Sequence, residues 1–220
     1  MRRVTETVSE RNIAYLDMMR DIYGVSAAHS TKTYICGGFT IDIFESRFLR
    51  EHGNLDGFTE NLTELFPSLS ASYQGLGYAV KYNKELQMLE IRKDGAFASF
   101  NPLNIDGKTA RWRHIGDGGS VFFPAEWLDT EPRGFYDAEV YTSGFRFEYA
   151  VKTKAALLGP EREPRDKDLI AVKYLKNMLR RMSVTPGDVY KWIWSYNPYW
   201  YKKGYEEYFR PAVASSLFAK

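Results

Sequence analysis

The sequence predicts an α+β fold, with a mixed-sheet α/β part over residues 1–143 and a helical C-terminal part over 144–220. Three patterns carry that reading. Helical and strand spacings of apolar residues alternate up to Phe66, segments of period two follow between Tyr78 and Tyr141, and helical spacing returns at Phe145.

The first helix is expected over Thr5–Tyr23, with Ile13, Leu16, Met19 and Tyr23 on one face, ending at Gly24 and the small run Ser26–Ser30. Tyr34-Ile35-Cys36 reads as a strand running into Gly37-Gly38. A helix with Phe39, Ile43, Phe44 and Phe48 on its apolar side follows. Asn54–Phe58 predicts another strand, and a third helix starts near Glu60 with Leu62, Leu65 and Phe66.

The period-two region predicts a hairpin, Tyr78–Tyr82 and Leu86–Ile91 around Asn83-Lys84-Glu85. Ala96–Phe100, Val121–Phe123 and Glu139–Tyr141 are further strands. Beyond them, Phe147, Val151, Ala155 and Leu158 share a helical face that Gly159-Pro160 stops, and Asp166–Leu179 repeats the pattern. Thr185-Pro186 has the form of an N-cap with proline at the first helical position.

Composition narrows the function classes. With 220 residues, 44% hydrophobic and 26% charged, the chain can bury a core without staples. A net charge of +2, with both signs interspersed, is too mild to argue for nucleic acid on charge alone, and nucleic acid is not the expected partner. No apolar stretch is long enough to span a bilayer, and no signal core follows Met1, so a cytoplasmic location and no membrane partner are expected. The single cysteine, Cys36, allows no intramolecular disulfide and reads as a small core residue rather than a nucleophile.

Chemistry concentrates in Ile35-Cys36-Gly37-Gly38-Phe39-Thr40-Ile41-Asp42 and Arg50-Glu51-His52-Gly53-Asn54-Leu55-Asp56. A strand entering two glycines and then a helix lets a phosphate approach backbone N–H groups at a helix N-terminus. A strand carrying a carboxylate comes next.

These residues resemble the nucleotidyltransferase superfamily, closest to its lincosamide- and aminoglycoside-modifying branch. Gly37, Gly38, Ile41, Asp42, Arg50, His52 and Asp56 match its pattern in register. The resemblance implies a nucleoside triphosphate bound with magnesium and, in an active protein, transfer of a nucleoside monophosphate to a hydroxyl of a small-molecule acceptor. Gly37 and Gly38 would meet the phosphates, with Arg50, His52 and Lys167 helping to bind the nucleotide. Asp56 and Asn54 would be the metal and catalytic positions.

The chain departs from the pattern where the metal is held. Asn54 stands at the first metal-binding aspartate, Ser99 at the third carboxylate and Asn101 at a histidine, while Asp166 replaces a proline in Arg165-Asp166-Lys167-Asp168. One charge pair at about 4 Å is worth about 4 kcal/mol at an effective dielectric of 20. As a barrier that is about a thousandfold in rate. The alternative implied is a catalytically inactive binding or interaction module on the same scaffold.

Other groups weigh less. His29 and His114 have no partner spacing and read as surface or structural, and Glu60 and Glu64 read as one solvated helix face. Asp137 and Glu139 would share a strand face near the cleft, where a base for the acceptor would sit. The aromatic C-terminal segment, Tyr190 to Phe209 with Lys191, Lys202, Lys203 and Arg210, reads as helices packed on the body, its exposed remainder serving as a homodimer contact. Base stacking by those rings is the competing reading.

Overall fold

The computed structural model describes residues 8–84, 87–113, 120–154 and 166–196. In chain order these form α1 (Glu10–Ala28), β1 (Thr33–Cys36), α2 (Gly38–Glu45), β2 (Leu55–Glu60), α3 (Leu62–Gly75), β3 (Ala79–Asn83), β4 (Met88–Lys93), β5 (Ala96–Asp106), β6 (Thr109–Arg113) and β7 (Ser120–Pro124). β8 (Arg133–Phe135), β9 (Ala138–Thr142), α4 (Phe145–Thr153), α5 (Asp166–Arg181), α6 (Pro186–Tyr190) and β10 (Trp194–Tyr196) follow. The class is α+β, as the sequence predicts.

A single mixed sheet in the order β10-β7-β6-β5-β2-β1-β9-β8 organises the fold, with β4 and then β3 attached beside β5. Strands β2 and β5 run parallel, as do β1 and β9, and the other pairs are antiparallel. One edge of β5 serves two partners: Ala96–Phe100 pair with β4 and Leu103–Asp106 with β6. Pro102 falls between the two ladders, where its missing N–H removes no ladder bond on that edge.

Alternation along the strands sends side chains to two cores. Ile35, Leu55, Ala98, Phe100, Leu89 and Ile91 face α1 and α3, joining Tyr15, Met18, Met19, Ile22, Leu69 and Tyr73. On the other face Tyr34, Phe58 and Leu103 meet Phe147, Leu175 and Leu179 of the C-terminal helices. Phe58 and Phe147 touch edge to face, with ring centroids 5.4 Å apart.

Several expectations are corrected. The first helix starts at Glu10, capped by the Ser9 side chain, and runs to Ala28. Gly24 costs about 1 kcal/mol relative to alanine inside a helix, which burial of Val25 and Ser26 beyond it outweighs. Its buried face is set by Tyr15, Met18, Met19 and Ile22, leaving Ile13 46% exposed. The second hairpin strand runs from Met88, Gln87 lying in the turn before it, while Leu86 is outside the described residues. Glu60 ends β2 and accepts the Tyr34 hydroxyl at 2.7 Å, so it shares no helix face with Glu64.

The C-terminal segment is not wholly helical. Trp194–Tyr196 pair with β7, and the Trp194 ring stacks on Phe122 at 4.0 Å. The rest of the aromatic tail from residue 197, the Gly159-Pro160 stop, His114 and Arg165 lie outside the described residues. Among the described residues no helix is long and apolar enough to cross a membrane.

Candidate functional site

The glycine pair sits where β1 turns into α2. Gly37 has φ 80° and ψ −140°, a backbone state closed to other residues, and caps α2. At Gly38 the requirement is space: a Cβ would lie 2.6 Å from an Arg50 guanidinium nitrogen and 2.8 Å from His52 Cε1. The loop before β2 is thus laid across the first turn of α2.

His52 fastens that loop. Its ring stacks on Phe39 at 3.9 Å, and Nε2 meets Asp42 Oδ2 at 2.6 Å, both residues being 2% exposed. Asn12 of α1 adds a bond to the Arg50 carbonyl at 3.2 Å. In this geometry Asp42, His52 and the backbone of Arg50 set the entry of β2, and so the position of Asp56.

Pairing register then builds a row across the sheet. Cys36 lies opposite Asp56 on the neighbouring strand, and Asp56 lies opposite Ser99. Opposed residues point to the same face, here the face that carries Phe58 and α4. Asp56 Oδ1 accepts from the Asn54 amide at 2.6 Å and the Ser99 hydroxyl at 3.0 Å. Its Oδ2 faces the turn, 3.7 Å from where a Gly37 Cβ would be. The structure thus brings together Gly37, Gly38, Arg50, His52, Asn54 and Asp56.

The sequence reading missed the group beneath the turn. Glu148 of α4 is 1% exposed and its Oε1 accepts from the Gly37 N–H at 2.8 Å and the Ser143 hydroxyl at 2.7 Å. Lys152 Nζ lies 3.6 Å from Glu148 Oε2 and 3.6 Å from Asp168 Oδ1. Burial pushes the Glu148 carboxyl up, opposed by Lys152, Ser143 and the Gly37 N–H. The same burial raises the Cys36 thiol, helped by the charges of Glu148 and Asp56. A raised thiol is a poor nucleophile. Glu148 sits 111 residues from Gly37 in sequence, so no local motif marks the contact. Lys167 is exposed in the first turn of α5, next to Asp168, so the buried chain Gly37–Glu148–Lys152–Asp168 ends beside it.

The proposed acceptor base is displaced. Asp137 lies in the turn before β9 and pairs with Arg20 at 2.5 Å. The β1–β9 register places Glu139 two residues before the Tyr34 level, whereas Asp56 is two residues beyond it. Four strand residues are about 13 Å. His29 bonds Ser72 at 2.8 Å and is a structural tether.

Among the described residues no three His, Cys, Asp or Glu side chains form a metal-holding group. Magnesium usually keeps several waters and takes one or two carboxylates plus substrate phosphates. One carboxylate with an amide and a hydroxyl beside it fits a single ion completed by a triphosphate. It does not fit a pair of ions.

No family model matches the chain, and no curated relative does. Solved structures do. A lincomycin-bound lincosamide antibiotic adenylyltransferase, LnuA, is similar over 78% of this chain and 98% of its own, with 16% identity and a TM-score of 0.53. The antibiotic-resistance factor ANT(2″)-Ia in solution covers 80% of this chain and 88% of its own, at 14% identity and TM-score 0.59. Its complex with adenylyl-2″-tobramycin covers 77% and 92%, at 14% identity and TM-score 0.58.

Proposed function

We propose that this chain, which has the nucleotidyltransferase fold, binds a nucleoside triphosphate with one magnesium ion at the Gly37–Asp56 corner and transfers a nucleoside monophosphate to a hydroxyl of a small molecule. The observation that carries the reading is the register of Asp56 against Cys36. It sets a carboxylate beside a glycine turn that has no Cβ to fill the space.

Each residue then has a task. Asp56 would hold the ion, and Asn54, rotated about its last bond, would offer its amide oxygen instead of its N–H. The bound ion would neutralise phosphate charge as a Lewis acid. Gly38 and the α2 N-terminus give the phosphates N–H donors and favourable partial charge. Arg50 and Lys167 add positive charge, while His52 keeps β2 seated on α2. Glu148 holds the Gly37 N–H, so that donor is reserved for the fold and Gly38 is the nearer phosphate donor.

Transfer would join the acceptor oxygen to the α-phosphorus, break the bond to the bridging oxygen, and release pyrophosphate. The acceptor proton leaves to solvent or a nearby base.

A second reading, a nucleotide-binding module without turnover, has its own support. Asp56 Oδ1 is satisfied by two neutral donors where the family pattern places carboxylates. A pyrophosphate-release assay with ATP and GTP against lincosamide and aminoglycoside acceptors separates the two. Release that disappears in Asp56→Ala supports transfer, and nucleotide binding without release for any acceptor supports the module.

A further inference from the structure

The row through Asp56 does not stop at Ser99. In the β4–β5 ladder Glu90 lies directly opposite Ser99. Cross-strand partners point to the same side, so Cys36, Asp56, Ser99 and Glu90 line up over four adjacent strands on the face of α4. A carboxylate absent from β5 is present one strand farther along the same row.

We infer that Glu90 is the second carboxylate of the cation site, and that Asp56 and Glu90 hold one divalent cation between them above Ser99. This rests on the nucleotide-binding reading for its purpose, not for its geometry. Two strand spacings separate the two Cα positions by about 10 Å. Glutamate is one methylene longer than aspartate, and two metal–oxygen bonds add about 2.1 Å each. The summed reach of the two side chains and the two metal–oxygen bonds covers that span, so an ion can bridge Asp56 and Glu90. Ser99, small and neutral, leaves the room between them that a larger side chain would fill. Its hydroxyl, which now donates to Asp56 Oδ1, can turn its oxygen to the ion.

Two further observations point to a ligand. Glu90 is 16% exposed, yet its only ion-pair partner among the described residues is Arg92, with the nitrogen 3.9 Å away and the guanidinium side chain 64% exposed. So long and exposed a pair contributes little. Lys81 of β3 stands opposite Glu90 on its other side, and its side chain is exposed. Second, Asn101 is one step along β5 on the same face as Ser99, 4% exposed, with its Oδ1 buried and without a hydrogen-bond partner. An orphaned acceptor is destabilising by about 1–3 kcal/mol. A water of the ion's coordination shell, donating to Oδ1, would remove that cost.

The test uses Mn²⁺ alone, which needs neither nucleotide nor acceptor. Free Mn²⁺ is followed by electron paramagnetic resonance in titrations of the full-length wild type, Glu90→Gln, Asp56→Asn and the double variant Ser99→Asp/Glu90→Gln. The wild type is expected to bind one ion. Glu90→Gln and Asp56→Asn should each weaken it at least about tenfold, since outer-sphere partners alone carry about 10–100-fold. Ser99→Asp should restore binding in the Glu90→Gln background by returning a carboxylate to β5, which a merely structural role for Glu90 would not do. Unchanged affinity in Glu90→Gln, or no binding of Mn²⁺ by the wild type, overturns the inference. A parallel ATP titration keeps the two ideas apart. Magnesium-dependent ATP binding that survives Glu90→Gln leaves the functional reading standing without Glu90. Loss of Mn²⁺ in Glu90→Gln with no ATP binding by any protein leaves the cation site standing without the nucleotide.

Discussion

The two faces of the sheet are built on different terms. The face under α1 and α3 is filled by aromatic and aliphatic side chains such as Phe100, Leu55, Tyr15 and Met19. The face under α4 and α5 mixes a similar apolar cluster with buried polar groups: Ser99, Asn101, Ser143, Glu148 and Asp168. Burial of apolar area stabilises the first face with few geometric demands. On the second, carboxylates are buried as well, with Glu148 and Asp168 sharing Lys152. Asn101 Oδ1 has no hydrogen-bond partner among the described residues, as Asn12 Oδ1 and the Tyr15 hydroxyl have none on the first face. Glu148 ties those buried charges to the glycine turn, and that link is what sets the second face apart.

The sharpest way to break the second face is at its hinge into α4. Gly144 has φ 79°, and a Cβ there would meet the Trp127 carbonyl oxygen at 2.0 Å. Gly144→Ala should lower stability by more than about 4 kcal/mol, since backbone must move. Urea unfolding measures it, and a loss under about 1 kcal/mol contradicts the geometry. On the first face, Phe100→Ala should cost about 3–5 kcal/mol and do so equally at every pH.

Next in size is Glu148→Ala, about 3 kcal/mol, because the Gly37 N–H, the Ser143 hydroxyl and Lys152 lose their acceptor. Glu148 also sharpens the comparison through pH. Its carboxyl is raised by burial, so the folded state holds that proton more tightly than the unfolded chain does. The group's contribution is full below the ordinary value of 4.5 and declines as pH rises through the raised folded value. Unfolding free energies taken stepwise above pH 4.5 should fall more steeply for the wild type than for Glu148→Gln. Parallel slopes would remove Glu148 as the cause. The smallest effect is a gain: Asn101→Leu should stabilise by about 1 kcal/mol by deleting an orphaned acceptor. A destabilisation of that size would mean Asn101 is satisfied after all.

This contrast also explains what was legible in the sequence. Gly37-Gly38 and most of the helices and strands follow from local spacing, while Asp42, Arg50, His52 and Asp56 are legible through the resemblance; β6 and β8 are not read from the sequence. Boundaries went astray where tertiary burial overrode a local signal, as at Gly24, which the helix passes through because Val25 and Ser26 are buried beyond it. Trp194–Tyr196 reads as part of an amphipathic tail until β7 is there to pair with it. Glu148 and Glu90 could not be found from spacing. One reaches the glycine turn across 111 residues, and the other belongs to the row only through the register of three ladders.

The central claim is that Asp56 and the glycine turn form a nucleotide site that works through a metal ion. Calorimetric titration of wild type and Asp56→Asn with ATP and with GTP, each with and without magnesium, tests it most directly. The account predicts binding by the wild type that requires magnesium and is lost in Asp56→Asn. Binding that is the same without magnesium and in Asp56→Asn, or no binding of either nucleotide, would contradict it.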